Sequence, residues 1–130
     1  MCGETTGVVV VVTPRGLLGV SAGDSEAWVI TASGIDDLTT AQNKKRVGSG
    51  GAPPASFFRP TLDGALVVAT DGLFKYAPPE TVAAAARGCS PAEVAERLVE
   101  LVRLPSGRYQ DDVGVVVVAA EARARGAVEA

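Results

Sequence analysis

The apolar residues of this chain are concentrated in short runs that turn-forming residues separate. These runs are rich in Val, which favours the pleated and partly buried surface of a strand. Strands are therefore predicted at Gly7 to Val12, Leu17 to Ala22, Ala27 to Thr31, Ala65 to Ala69 and Val113 to Ala120. Short turns join the first three runs, and this spacing predicts an antiparallel meander.

Two helices are predicted between the fourth and fifth runs. The first runs from Pro78 to about Arg87, because prolines suit a helix start and the following Gly88 suits a helix end. The second begins at Ser90, where the sequence Ser-Pro-Ala-Glu supplies an N-cap, a first-turn proline and a capping box. It should end near Leu104, and its apolar residues form one face at helical spacing, namely Val94, Leu98, Leu101 and Val102.

These elements predict an α/β (α+β) fold in which two helices cover one face of an antiparallel sheet layer. Residues 34–60 have the composition of a loop and are predicted to form a flexible flap. Their glycine-rich stretch from Gly48 to Gly51 lacks the Lys-Ser/Thr of a phosphate-binding loop. The runs Val8 to Val12 and Val115 to Val118 do not alternate with polar residues, so we expect both of their faces to be buried. Two helices cover only one face, so either upstream sequence or a partner covers the other, or the chain aggregates through exposed strands.

The composition of the chain limits the classes of function and the kinds of catalytic group that it can have. The chain has 130 residues, 47% of them hydrophobic, which predicts one domain with a core of its own. A net charge of −3 argues against a general nucleic-acid binder, and no run approaches the length of a membrane helix. With no signal peptide and only Cys2 and Cys89, a cytoplasmic location is expected. Histidine is absent, so any catalysis must rest on carboxylates, hydroxyls or metals.

Acidic residues mark several strand ends. Asp71 follows the fourth run, Asp111 and Asp112 precede the fifth, and Asp24 lies between the second and third. Turn chemistry alone is one explanation, since Asp favours turns and helix N-caps. If the fourth and fifth strands pair antiparallel, however, these carboxylates share one end of the sheet. Carboxylates that converge without a nearby Lys or Arg repel one another unless a cation is bound. Oxygen-only ligands select Mg²⁺ or Mn²⁺, which can activate water for attack on phosphorus.

Three stretches of the chain resemble, in the same order, motifs of the metal-dependent protein phosphatase 2C-like (PPM) family. They are Gly23-Asp24-Ser25-x-Ala27, Thr70-Asp71-Gly72-Leu73 and Asp111-Asp112-Val113. The opening Glu4-Thr5-Thr6-Gly7-Val8 also resembles the residues with which the family enters this part of its sheet. The resemblance covers roughly residues 3–119 and implies a four-layer α-β-β-α sandwich. Asp71 and Asp111 would bind the first Mg²⁺ or Mn²⁺, with Asp24 beside a looser metal position that Asp71 shares. Gly72, Asp112 and Ser25 would support the site. The implied reaction is hydrolysis of phosphoserine or phosphothreonine in a phosphoprotein by a metal-activated water, without a phosphoenzyme.

The chain departs from the family at its N-terminal end. The family's Asp-Gly-x-Gly-Gly motif, an upstream acidic residue and a phosphate-binding Arg have no counterpart in this sequence. Residues 1–120 are therefore expected to be a partial phosphatase domain, unlikely to be active alone, and residues 121–130 a tail. A catalytically inactive phosphatase-like module that binds or regulates partners is the alternative. A haloacid dehalogenase-type phosphatase is disfavoured, because its nucleophilic Asp would stand where this chain has Ala69.

Overall fold

The computed structural model describes residues 7–40, 54–88 and 90–119. The strands and helices in these ranges follow in chain order as β1 (Gly7–Thr13), β2 (Gly16–Ala22), β3 (Glu26–Ile30), β4 (Ile35–Asp37), β5 (Ala55–Arg59), β6 (Ala65–Ala69), α1 (Asp71–Phe74), α2 (Pro79–Ala85), α3 (Pro91–Leu101) and β7 (Val115–Ala119). No helix in the described ranges is both long and apolar enough to cross a membrane.

The strands form two antiparallel sheets. One sheet has the order β1-β2-β5, and the other has the order β4-β3-β6-β7. The predicted meander is therefore wrong at its third strand, since β3 pairs with β4 and β6 and not with β2. The chain crosses from one sheet to the other at Gly23, whose φ of +94° is costly for a residue with a Cβ.

Side-chain alternation along β3 and β6 builds two apolar layers. Ala27, Val29 and Leu66 join Leu17 of β2 in a buried cluster between the two sheets. The opposite faces of the same strands contribute Trp28, Ile30 and Val67 to a second cluster with the helices. Helix α3 packs on β7 and α2 packs on α3. The described residues thus form three layers, sheet on sheet with helices on one outer side, which confirms the predicted α+β class.

The outer face of the β1-β2-β5 sheet carries large apolar side chains in register. Val9 lies opposite Val20, and Val11, Leu18 and Phe58 form the next row across the three strands. These five side chains are 43–64% exposed. The expectation that both faces of the valine runs are buried is therefore not met within the described residues. A layer on this side would have to come from polypeptide outside them.

The helix starts agree with the sequence better than the helix ends. Ser90 caps α3, and its hydroxyl oxygen accepts a hydrogen bond from the Glu93 backbone N–H at 3.3 Å. The Glu93 carboxylate accepts from the same hydroxyl at 2.9 Å, a variant of the predicted capping box. Helix α3 ends at Leu101, earlier than predicted near Leu104. The chain leaves the helix there because Arg103 forms a β-bridge with Tyr109.

The predicted flap is partly ordered structure. Strands β4 and β5 lie within residues 34–60, and Arg59 forms ion pairs with Asp36 and Asp63. The Arg59–Asp36 pair connects the end of β5 to β4 in the other sheet, whereas Asp63 follows β5 in the same chain segment. The glycine-rich stretch from Gly48 to Gly51 lies outside the described residues, as do both cysteines and the predicted tail at residues 121–130.

Candidate functional site: an acidic end of the sandwich

Asp71 is the first residue of α1 and lies two positions after the end of β6. Thr70 occupies the N-cap position without capping the helix through its side chain, because its hydroxyl is used elsewhere. That hydroxyl donates to the Asp112 carbonyl oxygen at 3.2 Å and accepts from the Gly114 N–H at 3.0 Å. The Thr70 N–H donates to the Gly114 carbonyl at 3.0 Å. These bonds join the end of β6 to the segment that enters β7.

The pairing of β6 with β7 brings the two acidic segments to one end of the sheet. The strands are antiparallel, with Ala69 opposite Val115, so Asp71 and Asp111 extend from the same edge. This confirms the antiparallel pairing on which the sequence argument depended. The Asp112 N–H donates to Asp111 Oδ1 at 2.8 Å, which orders the turn in which both carboxylates are exposed.

Asp24 reaches the same end from the crossover between the sheets. Its carboxyl hydrogen-bonds with Asp71 and interacts with it electrostatically. Ser25, the next residue, is buried.

The electrostatics of this end centre on Asp71. Its pKa lies above the ordinary value of 3.8, first because partial burial disfavours the charged form. The charge of Asp24, its hydrogen bond to Asp71 and the charge of Asp111 raise the pKa further, in that order. Lys75 acts in the opposite direction. The expectation that no Lys or Arg lies near these carboxylates is wrong, because Lys75 follows α1 at its C-cap, one turn beyond Asp71.

Gly72 has a different role from the one that its position in a turn suggests. Its φ is not positive, so no sharp bend demands a glycine there. A Cβ at Gly72 would instead overlap the Asp112 carbonyl oxygen and lie 3.0 Å from its carbonyl carbon. Glycine at this position therefore lets α1 and the β7 entry approach each other closely, and the separation of Asp71 from Asp111 depends on that approach.

The ligand atoms at this end are of the type that a hard divalent cation prefers, but the described residues supply too few of them for a complete site. Asp24, Asp71 and Asp111 offer only carboxylate oxygens, and the raised pKa of Asp71 reports negative charge that a cation would neutralise. In the part of the chain that the structure describes, however, no three acidic, His or Cys side chains are close enough together to hold an ion. These residues therefore fit as part of a metal site.

A cavity of about 520 Å³ opens beside the acidic end. Val99 of α3 and residues 108–113 line it, so it contains Asp111, Asp112 and the cationic side chain of Arg108. Sequence reasoning missed Thr70, Lys75 and Arg108 as members of this region. The Lys75 position was readable, since residues four apart on a helix are neighbours. Nothing in the local sequence pointed to the Thr70 hydroxyl or to the cavity.

Two antiparallel sheets packed face to face, with helices on one outer side, match the fold of solved PPM-type serine/threonine phosphatases. A solved bacterial serine phosphatase matches 91% of this chain with a TM-score of 0.79 at 18% identity. The catalytic domain of serine/threonine phosphatase PstP, solved with two manganese ions, matches 90% at a TM-score of 0.74 and 22% identity. The PPM phosphatase MsPP from Mycobacterium smegmatis, solved with cacodylate, matches 88% at 0.73 and 24% identity.

These likenesses assign the fold. The chain spans only 58% of the bacterial serine phosphatase, 58% of the PstP structure and 61% of MsPP. No protein-family profile matches the chain, and no curated protein matches it.

Proposed function

We propose that this chain is a metal-dependent serine/threonine phosphatase-like domain whose substrates are phosphoproteins. One observation carries the proposal: on a phosphatase fold, Asp24 and Asp111 both act electrostatically on Asp71 at the end of β6. Turn chemistry accounts for each residue singly, but it gives no reason for carboxylates from three separate segments to converge.

Mg²⁺ or Mn²⁺ is the proposed cofactor, and Asp71 and Asp111 are the residues that would hold it. Asp24 would contribute to a second, looser position together with Asp71. When bound, such an ion supplies charge neutralisation and activates water towards a phosphate ester. The metal complex of the structurally similar PstP supports this proposal.

The other residues of the site position these carboxylates. Thr70 fixes the end of β6 against the β7 entry through its hydroxyl, and Gly72 allows α1 to approach the Asp112 backbone. Asp112 contributes through its carbonyl oxygen, which accepts from Thr70, and not as a first ligand. Burial of Asp71 reduces its hydration, so a bound cation would interact with it more strongly than with an exposed carboxylate.

The remaining ligands would come from polypeptide outside the described residues. We infer that such a segment, or a partner protein, also covers the exposed outer face of the β1-β2-β5 sheet. The solved phosphatases support this inference, since this chain spans about three-fifths of their length. A cytoplasmic location remains part of the proposal.

The test is a titration of the purified chain with Mn²⁺, followed by thermal unfolding and by hydrolysis of para-nitrophenyl phosphate. Mn²⁺ should raise the melting temperature of the native chain, since a ligand that binds only the folded state stabilises it. The change Asp71→Asn should abolish this increase, whereas Glu96→Gln, at an exposed position of α3, should leave it intact. An increase that survives Asp71→Asn would remove Asp71 from the metal site.

A binding module without turnover is the second candidate. It is favoured by the absence, among the described residues, of three carboxylates close enough to hold an ion. Mn²⁺-dependent stabilisation without hydrolysis of either para-nitrophenyl phosphate or phosphoserine peptides would select this candidate.

A further inference from the structure

The cavity beside the acidic end contains a cation as well as carboxylates. Its walls are Val99 of α3 and the six residues before Gly114, so one loop supplies Arg108 near one end and Asp111 near the other. The cavity of about 520 Å³ is large enough for one or two side chains of a bound peptide. What it selects depends on how Arg108 is held.

The backbone around Arg108 is fixed on both sides. Its carbonyl oxygen accepts a hydrogen bond from the Leu104 N–H at 2.7 Å, and the Gly107 N–H donates to the Leu104 carbonyl at 2.8 Å. On the other side, Tyr109 is bridged to Arg103, whose guanidinium lies 5.1 Å from the centre of the tyrosine ring. A loop held in this way loses little further conformational freedom when a ligand binds.

The Arg108 side chain itself is not engaged. In the described ranges its guanidinium makes neither an ion pair nor a hydrogen bond, although Asp111 and Asp112 line the same cavity. By contrast, Arg59 and Arg103 are both paired with carboxylates. Arg108 is therefore a cation on a fixed loop with its donors available.

We propose that Arg108 recognises an acidic side chain of the substrate two or three positions from the phosphorylated residue. The proposal rests on the function proposed above. Arg108 lies three residues from Asp111, so their backbones are separated by at most about 10 Å. A phosphate held by a cation at Asp71 and Asp111 would be followed by substrate residues at intervals of about 3.3–3.6 Å along an extended peptide. Residues two or three positions from the phosphorylated residue therefore fall within the span that separates Arg108 from Asp111, and the proposal assigns Arg108 to one of them.

The charges that line the cavity determine whether an acidic or a neutral flanking side chain is preferred. Asp111 and Asp112 make this wall of the cavity negative, so an acidic peptide would be repelled if Arg108 were neutral. A guanidinium that donates two hydrogen bonds to a carboxylate from its planar fork offsets that repulsion and fixes the direction of approach. Arg108 would therefore determine specificity without touching the reacting atoms.

The experiment compares two fluorescein-labelled phosphoserine peptides in the presence of Mn²⁺. One has Glu at the second and third positions on both sides of the phosphoserine, and the other has Gln at those positions. The full chain should bind the Glu peptide about threefold to fivefold more tightly by fluorescence anisotropy, the range for an exposed ion pair. This preference should decrease as NaCl is raised.

Substitutions at two arginines distinguish an effect of the Arg108 side chain from an effect of the overall charge of the protein. Arg108→Gln should abolish the preference and Arg108→Lys should retain part of it. Arg15→Gln, at an exposed turn joining β1 to β2, should retain all of it. Thermal unfolding with and without Mn²⁺ should show that each variant is folded and responds to the ion, so that a change in peptide preference reports the side chain itself. Equal binding of both peptides, or a preference that survives Arg108→Gln, overturns the inference. A preference without hydrolysis would select the binding module without turnover while leaving the role of Arg108 intact.

Discussion

The change Gly72→Ala tests whether the acidic end depends on a close backbone approach. Two opposite expectations exist for this substitution. Gly72 is in the helical turn α1 with a negative φ, and Ala is better than Gly in a helix by about 1 kcal/mol. Helix propensity alone therefore predicts a more stable protein.

The packing of Gly72 predicts the reverse. The added Cβ would overlap the Asp112 carbonyl oxygen and lie 3.0 Å from the carbonyl carbon and 3.3 Å from Val113 Cγ2. The carbonyl cannot move freely, because Thr70 donates to it at 3.2 Å. Overpacking of this kind costs about 1–3 kcal/mol. Because the overlap is with a restrained backbone carbonyl, the upper part of this range applies, about 2–3 kcal/mol. After subtraction of the helix gain of about 1 kcal/mol, we expect a net loss of about 1–2 kcal/mol in the free energy of unfolding, or about 3–8 °C in melting temperature.

Urea unfolding followed by tryptophan fluorescence measures this loss directly. Trp28 is the only tryptophan, and its ring is stacked on Phe74 of α1 with the ring centres 4.3 Å apart. The matched control is Gly114→Ala on the facing segment, where a Cβ would meet only Thr70 Cγ2 at 3.6 Å. We expect the control to stay within about 0.5 kcal/mol of the native chain. A Gly72→Ala variant as stable as the native chain, or more stable, would refute the close-approach argument.

Two further predictions concern charge and the core. Because the pKa of Asp71 is raised on folding, its ionisation destabilises the fold at pH values above the raised pKa, and this cost disappears below the ordinary value of 3.8. Without metal, Asp71→Asn should therefore be more stable than the native chain at pH 7, with the difference narrowing towards pH 4; a difference of the opposite sign in urea midpoints would contradict this. Leu98 is fully buried where α3 faces the sheet, so Leu98→Ala should cost about 2–5 kcal/mol in urea unfolding. A loss no larger than that of Glu96→Ala on the exposed side of α3 would show that the helix is not packed as described.

Local signals in the sequence were sufficient for most elements. The valine runs gave β1, β2, β6 and β7 within a few residues, and the Ser90 cap placed the start of α3 correctly. These features depend on residues that are close together in the sequence and on the pattern of apolar residues, and both can be read from the sequence alone. The short strands β4 and β5 carried no such pattern and were included in a loop.

Long-range pairing was not readable in the same way. The turn at Gly23 looks the same whether the next strand returns to β2 or crosses to another sheet, so β3 was placed wrongly. At the site, the order of the acidic motifs predicted that Asp24, Asp71 and Asp111 lie at one end of the fold, where Asp24 and Asp111 raise the pKa of Asp71; metal binding by these residues stays a prediction. The Thr70 hydroxyl bonds to residues 42 and 44 positions away, and the available Arg108 side chain depends on how its own loop folds, so no spacing rule reports either.

The exposed sheet face and the acidic end are connected through a single strand. Strand β2 carries Leu18 and Val20 on its exposed face and leads at its carboxyl end to Asp24. In the described residues β2 is held by β1 and β5 and by the inter-sheet cluster, whereas Asp71 and Asp111 belong to the other sheet. The position of Asp24 relative to Asp71 therefore depends on how the two sheets sit on each other. A polypeptide that covered Leu18 and Phe58 would hold β2 in place, so we expect it to tighten the proposed metal binding through the position of Asp24, in addition to any ligand that it supplies.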